Sequence, residues 1–347
     1  MSITIGGKTP EIVYIENKEV DSISINNEIV WQKTPTGPNY FYVQNDYSQQ
    51  NVTFTLTKVG SPTTGSDLEY STDGTNWDTC TYNSSGICSI KTFNMGDKVY
   101  FRSTTGFSQD YNNYYKFDAN GPFSVGGDIT TLSDYTNNSL TYIEVPRLFY
   151  NDNNLISAAN LDCSKITQVG RMDTTHQPVT CSWEEAFYNC YNMTTPPDFP
   201  NVTLVKQYGF YSTFEGCTAM TTPPNMSRVS GAFRMGYART FAWCENLSAG
   251  PNFNNISTIE LHDARHNGTF EQTFEYCLSL QDAYAPNVNV WYENAVVDNI
   301  TNTYTAYQWL SEVGSGGIVH VVSSSLSLPD SVSGCPTTAY GWTYSSL

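Results

Sequence analysis

The feature that most constrains this chain is a spaced string, Phe-x-x-Cys-x-x-Leu/Met, which occurs four times. Its copies are Phe187/Cys190/Met193, Phe214/Cys217/Met220, Phe241/Cys244/Leu247 and Phe274/Cys277/Leu280. A degenerate first copy, Phe149/Asp152/Leu155, lacks the cysteine. The Phe positions are separated by 38, 27, 27 and 33 residues, within the 20–50-residue range at which self-similarity signals stacked repeats. Trp183, Phe187 and Cys190 stand at i, i+4 and i+7, the spacing of one helical face. Thr-Thr-Pro-Pro follows Met193 and again Met220, and proline there ends a helix and starts an extended segment. Each unit therefore reads as a short helix plus a strand that cannot bury its apolar side alone. Stacking would close the core.

That reading assigns the cysteines. Metal or redox chemistry needs ligands that converge on a point. Cys190, Cys217, Cys244 and Cys277 instead hold one place in successive units and form a ladder of small core side chains. The nine cysteines are odd in number and no Cys-x-x-Cys occurs, so no secreted disulfide framework is expected. Cys163 and Cys181 share the long first interval, and their pairing stays open. The first residues, Met1 to Gly7, have neither a basic nor an apolar leader region, so no signal peptide is expected.

Residues 1–34 repeat with a period of ten: Ile5, Ile15 and Ile25 superpose, each followed by Gly or Asn, and the stretch ends at Trp31. Short alternating runs with turn residues predict a β-meander. It is too small to be stable alone, so it is expected to dock on the next domain or another protein, with Ile5, Ile15, Ile25 and Trp31 as candidate anchor residues. The alternative is a simple N-terminal extension of the following sheet. Pro35-Thr36-Gly37-Pro38 reads as a linker. Residues 39–130 alternate as an antiparallel, sandwich-like β domain, with Asp73-Gly74 as a hairpin turn and not a calcium loop. Residues 140–300 hold the repeats. Residues 301–347, with Ile318 to Val322 as a strand, read as a C-terminal cap. The expected fold is β-rich and multidomain, ending in a short α/β repeat solenoid.

The composition removes several functions. A formal charge of −17 gives no electrostatic footprint for nucleic acid. No apolar run reaches membrane-spanning length. Only 14% of residues are charged, against roughly 25% in an average protein, and 25 tyrosines with many Asn, Thr and Ser replace them. Uncharged polar groups and aromatic faces suit contact with sugars or proteins. No nucleophile elbow, phosphate loop or zinc-protease motif occurs, so no catalytic, metal or cofactor residues are assigned. His262 and His266, beside Glu260 and Asp263, read as an exposed loop pair. Glu184-Glu185 reads as acidic residues in a first helical turn.

The Phe-x-x-Cys-x-x-Leu units with their following prolines resemble the BspA-like leucine-rich repeats of surface and phage proteins from gut Bacteroidetes. The Ile-rich N-terminus, the Leu68-to-Arg102 segment and the Trp309-Leu310 … Gly341-Trp342-Thr343 ending are similar to recurring parts of virion proteins from phages of that group, crAss-like phages included. The resemblance implies a non-enzymatic head or tail fibre or appendage in the virion. Its N-terminus would attach to other virion proteins. Its repeats would be displayed to a host-surface glycan or protein, in a homo-oligomer. This chain departs from the pattern in its uneven unit lengths, its cysteine-free first copy and Ala339-Tyr340 near the end, so no binding residues carry over. A bacterial surface adhesin and a capsule depolymerase are the alternatives.

Overall fold

The computed structural model describes residues 13–15, 18–20, 22–25, 28–32, 39–46, 51–60, 63–64, 68–92, 94–104, 107–108, 112–170, 182–260, 268–287, 292–293, 303–304, 309–322 and 341–346. It is β-rich, with several sheets, and the one α-helix among the described residues is Thr131–Asp134. The chain divides into two compact units, Met1–Asn39 and Tyr40–Leu347.

The first unit contains two antiparallel hairpins, Val13–Ile15 with Lys18–Val20 and Ser22–Ile25 with Glu28–Gln32. Ile15 pairs with Lys18 and Ile25 with Glu28. Trp31 pairs with Ile23. Ile5 lies outside the described residues.

In the second unit, two sheets pack face to face. One has three strands, with Val52–Val59 between Ile87–Thr92 and Tyr114–Ala119. The other has six, in the order Leu155–Asp162, Phe123–Asp128, Phe41–Asn45, Lys98–Arg102, Glu69–Ser71 and Asp78–Thr79. Strict alternation buries Val52, Phe54 and Leu56 on one sheet and Phe41, Val43, Val99 and Phe101 on the other. The rings of Phe41, Phe101 and Phe117 interlock between them at 4.8–6.3 Å. Gly127 has φ +76°, and a Cβ there would strike the Tyr40 carbonyl, so only glycine lets the Phe123–Asp128 strand lie between two neighbours. That strand pairs in parallel with Leu155–Asp162, so backbone bonds cross from residues 39–130 into the repeat region. Cys80 and Cys88, eight residues apart, come into side-chain hydrogen-bond contact, and this lowers the Cys88 pKa.

The helices expected in the repeats do not form. Each Phe-x-x-Cys segment is instead a ribbon of consecutive turns. Residues with φ near +50 to +60° recur every fourth position: Arg147 and Asn151, Glu185 and Asn189, Tyr208 and Ser212, Met235, Arg239 and Trp243, Gln272 and Tyr276. Backbone N–H groups alternate in direction along the ribbon. Ala186, Tyr188 and Cys190 donate three residues back, to Trp183, Glu185 and Phe187, whereas Trp183, Glu185 and Phe187 donate to Gly209, Tyr211 and Thr213 of the following segment. An α-helix would satisfy its donors internally and offer none sideways. The local sequences disfavour a helix as well, because Thr213, Thr240, Thr273, Gly216 and clustered aromatics all have low helix propensity. A four-residue turn repeat still places Trp183, Phe187 and Cys190 on one side, all fully buried.

The segments stay in register through side chains too. The Cys190, Cys217, Cys244 and Cys277 thiols donate to the carbonyls of Phe149, Phe187, Phe214 and Phe241 at 3.0–3.2 Å. Thr213, Thr240 and Thr273 donate to Trp183, Phe210 and Tyr237 at 2.7–3.0 Å. Phe149, Phe187, Phe214, Phe241 and Phe274 stack ring on ring at 5.3–5.6 Å, with planes within 14°. Leu155, Met193, Met220, Leu247 and Leu280 are buried beside them. Parallel pairs link Gln168–Val169, Leu204–Val205, Gly231–Phe233 and Thr258–Glu260, and a second parallel set links Ala249–Asn252, Asp282–Tyr284, Ile318–Val321 and Thr343–Ser346. The segment expected as a cap carries the register onward: Phe274 donates to Trp309 at 2.8 Å, which puts Leu310 in the Phe place. At the other end, Phe117 donates to Leu148 at 2.8 Å and its ring stacks on Phe149 at 5.9 Å.

One member of this interior is poorly matched. Tyr237 is fully buried between Phe210 and Phe270, and its hydroxyl has no hydrogen-bond partner. Burial alone pushes its pKa far up. A stranded buried hydroxyl costs about 1–3 kcal/mol. Tyr237→Phe is therefore expected to raise the urea midpoint, with a gain of about 1–2 kcal/mol. A loss of stability would show that the hydroxyl is bonded after all.

Candidate functional site

The outward positions of the ribbons form columns one segment apart, about 4.8 Å where backbones pair. One column pairs Tyr150 with Tyr188, stacked at 5.1 Å and 11°. The Arg147 guanidinium lies over the Tyr150 ring at 5.0 Å and binds the Glu185 carboxylate at 2.6 Å. Glu185 is thus an ion-pair partner with φ +53° and not a residue of a first helical turn, and Glu184 beside it is buried. Farther along, the Arg239 fork donates Nε and Nη2 to Glu215 at 3.0 and 2.6 Å, while Nη1 reaches Gln272 and Glu275. The bonds to Glu215 hold the Arg239 pKa above its ordinary range, against the opposing effect of burial. Burial pushes Tyr211 up to about 12.

The adjacent column contains Asn151, Asn189, Gly216, Trp243 and Tyr276, all with positive φ. Its register is fixed by backbone bonds from Asn189 to Glu215, Gly216 to Ala242 and Trp243 to Glu275. Asn189 Nδ2 donates to Asn151 Oδ1 at 2.9 Å. Trp243 stacks on Tyr276 at 3.9 Å and 20°. Trp243 is 41% exposed and Tyr191, two residues past Asn189, is 42% exposed. An exposed tryptophan face is uncommon on a folded surface.

The sequence-derived core residues all lie inside and contact no solvent, so they can bind nothing external. Cys217 and its three equivalents are held protonated, because burial drives every thiol pKa up. Cys163 is buried likewise, while Cys181 lies outside the described residues, as do His262 and His266. The Asp73 carboxylate is used within its own turn: it accepts from Thr75 N, Asn76 N and Nδ2 and the Ser71 hydroxyl. The Asn76 backbone bond leads in holding its pKa well below the carboxylate range. Among the described residues no group of three or more His, Cys, Asp or Glu side chains could hold a metal, and no helix is long and apolar enough to cross a membrane.

The residues missed from sequence are those of the outward columns. The excess of Tyr and Asn was the available signal, but its placement depends on the four-residue ribbon. The candidate site is therefore the outward face of the ribbons, where aromatic faces, side-chain amides and carboxylates stand on a hydrogen-bonded backbone. No family model, curated protein or solved structure matches this chain.

Proposed function

We propose that this protein is a non-enzymatic structural component of a phage virion, a fibre or appendage exposed on the particle. The Met1–Asn39 unit would attach it to other virion proteins, and the Tyr40–Leu347 unit would display the surface columns to a host glycan or protein. The carrying observation is the division at Asn39, which separates a small hairpin unit from one large unit whose outer ribbons present stacked Tyr and Trp.

The repeats are read as a short leucine-rich-repeat-like solenoid. Support comes from the parallel pairs, the ring stack and the thiol ladder, all repeating at the segment spacing. A homo-oligomer would multiply weak contacts from each copy.

Two measurements test the reading. Mass spectrometry of purified, nuclease-treated particles is expected to find the chain at a fixed stoichiometry, and its absence would refute a virion role. Removal of residues 1–34 is expected to abolish incorporation while the remainder keeps its cooperative thermal transition. Normal incorporation of that truncation would place the anchor elsewhere.

A further inference from the structure

Cys80 and Cys88 meet where the two packed sheets come together at one edge. Cys80 N donates to Leu68 O at 2.8 Å, which continues the six-stranded sheet one residue past its edge strand Asp78–Thr79. Cys88 belongs to Ile87–Thr92, an edge strand of the three-stranded sheet, and pairs there with Leu56. Both cysteines are buried and carry free thiols. Their side chains approach from different sheets, and Cys88 accepts a hydrogen bond from Cys80 and another from the Thr81 backbone N–H. Burial, Asp78, Cys88 and Cys80 raise the Tyr70 pKa, in that order, so one phenol senses both sulfurs. Between the two cysteines runs a short hairpin, closed by bonds from Asn83 N to Ile87 O and from Gly86 N to Asn83 O, with Thr81, Asn83, Ser84 and Ser85 exposed.

We infer that Cys80 and Cys88 form a reversible disulfide that ties the two sheets together once the chain leaves a reducing compartment. The oxidant is a low-molecular-weight disulfide such as oxidised glutathione. The Cys88 thiolate attacks one sulfur of that disulfide, a mixed disulfide between Cys88 and glutathione forms, and one glutathione thiolate departs. The Cys80 thiol then gives up its proton and attacks the Cys88 sulfur, and the second glutathione thiolate leaves. Each departing thiolate takes up one of the two protons released by the cysteines. The protein thiols have then lost two electrons and two protons, and the small disulfide has become two thiols.

The chemistry singles out this pair. The two hydrogen bonds to Cys88 favour its thiolate and outweigh burial, so its pKa lies below the ordinary thiol value. Cys190, Cys217, Cys244 and Cys277 instead donate to carbonyls of the preceding ribbon, and burial holds them as thiols. Disulfide exchange needs a thiolate, so they are spared. Access differs as well, because an oxidant reaches Cys88 when the hairpin of residues 81–87 opens, a smaller event than parting the stacked ribbons. Once closed, the bond restricts the unfolded chain and so favours the folded one.

Treatment of the folded full chain with oxidised glutathione, followed by alkylation in denaturant and digestion with trypsin, tests this. No Lys or Arg lies between Lys58 and Lys91, so both cysteines fall in one peptide, residues 59–91. That peptide should emerge unalkylated and lighter by the two lost hydrogens, and it should do so faster, by about ten-fold, than any ladder cysteine loses its alkylation. The oxidised chain should melt about 5 °C higher, and dithiothreitol should restore both the mass and the midpoint. Cys80→Ser should stop at the first step, with one glutathione on Cys88, and Cys88→Ser should give no intrapeptide disulfide. Full alkylation of residues 59–91 after oxidation overturns the inference, as does a disulfide that forms only in denaturant. So does oxidation of the ladder cysteines at the same rate. An unchanged or lower melting midpoint would show that the bond does not tie the sheets and would also overturn it. None of these measurements depends on finding the chain in particles, so the disulfide and the virion reading fail separately.

Discussion

Phe214→Ala is expected to destabilise the Tyr40–Leu347 unit by about 3–5 kcal/mol. Phe214 is fully buried, and its ring is clamped between Phe187 at 5.4 Å and Phe241 at 5.6 Å, each within 7° of parallel. Truncation removes both faces of contact in the middle of the stack, and neither neighbouring segment can collapse inward while the thiol and threonine bonds hold the backbone spacing. Phe214→Leu is the informative comparison. Leu310 holds the equivalent place at the far end of the stack, so the position accepts leucine's shape, and the expected cost falls to about 1–1.5 kcal/mol. Urea denaturation of the two variants measures the difference. Equal costs would mean that leucine's volume recovers nothing and that the stacked ring itself carries the whole effect.

Asp152→Asn is expected to stabilise the protein, and only above mildly acidic pH. Asp152 takes the ladder position occupied by cysteine in the later segments. It is buried, with Oδ1 accepting from Asn154 N and Oδ2 unpartnered. Burial, reinforced by Asp118 and partly opposed by Lys116, pushes its pKa up to about 7 from 3.8. Below about pH 4 the carboxyl is neutral in both folded and unfolded chains, so it carries no ionisation cost. Between about pH 4 and pH 7 the unfolded chain releases the proton while the folded one keeps it, and stability declines as pH rises. Above that window the full cost persists, at most about 4 kcal/mol at roughly 1.4 kcal/mol per pKa unit. The variant should therefore match wild type at pH 4 and exceed it by about 2–4 kcal/mol at pH 8. A constant difference across pH would show that Asp152 does not titrate in this window.

The strands of residues 39–130 were legible because alternation such as Val52 to Thr57 reports a half-buried strand directly. The equivalence of Phe187, Phe214, Phe241 and Phe274 was legible because identical residues recur at near-equal spacing. Their local conformation was not. A turn ribbon of period four and a helix of period 3.6 put the same residues inward over two turns, so Trp183, Phe187 and Cys190 fit both. The φ values that separate the two belong to residues such as Glu185 and Arg239, whose types do not announce a left-handed backbone. Leu310 and Val313 escaped notice because they replace both marker residues at once. The parallel pairing of Phe123–Asp128 with Leu155–Asp162 spans intervening chain and leaves no local trace.

The contact of Phe117 with Phe149 gives the stack a direction in time. Phe117 presents an N–H and a ring face to the first ribbon, so that ribbon has a partner within the preceding sheet instead of having to find one in solution. Each later ribbon meets the same offer from the one before. Ordering from the N-terminal side outward is then the expected course, in the sequence in which a ribosome delivers the chain, with the entropy of closing each new loop set by one interval of 27 to 38 residues instead of by the whole length.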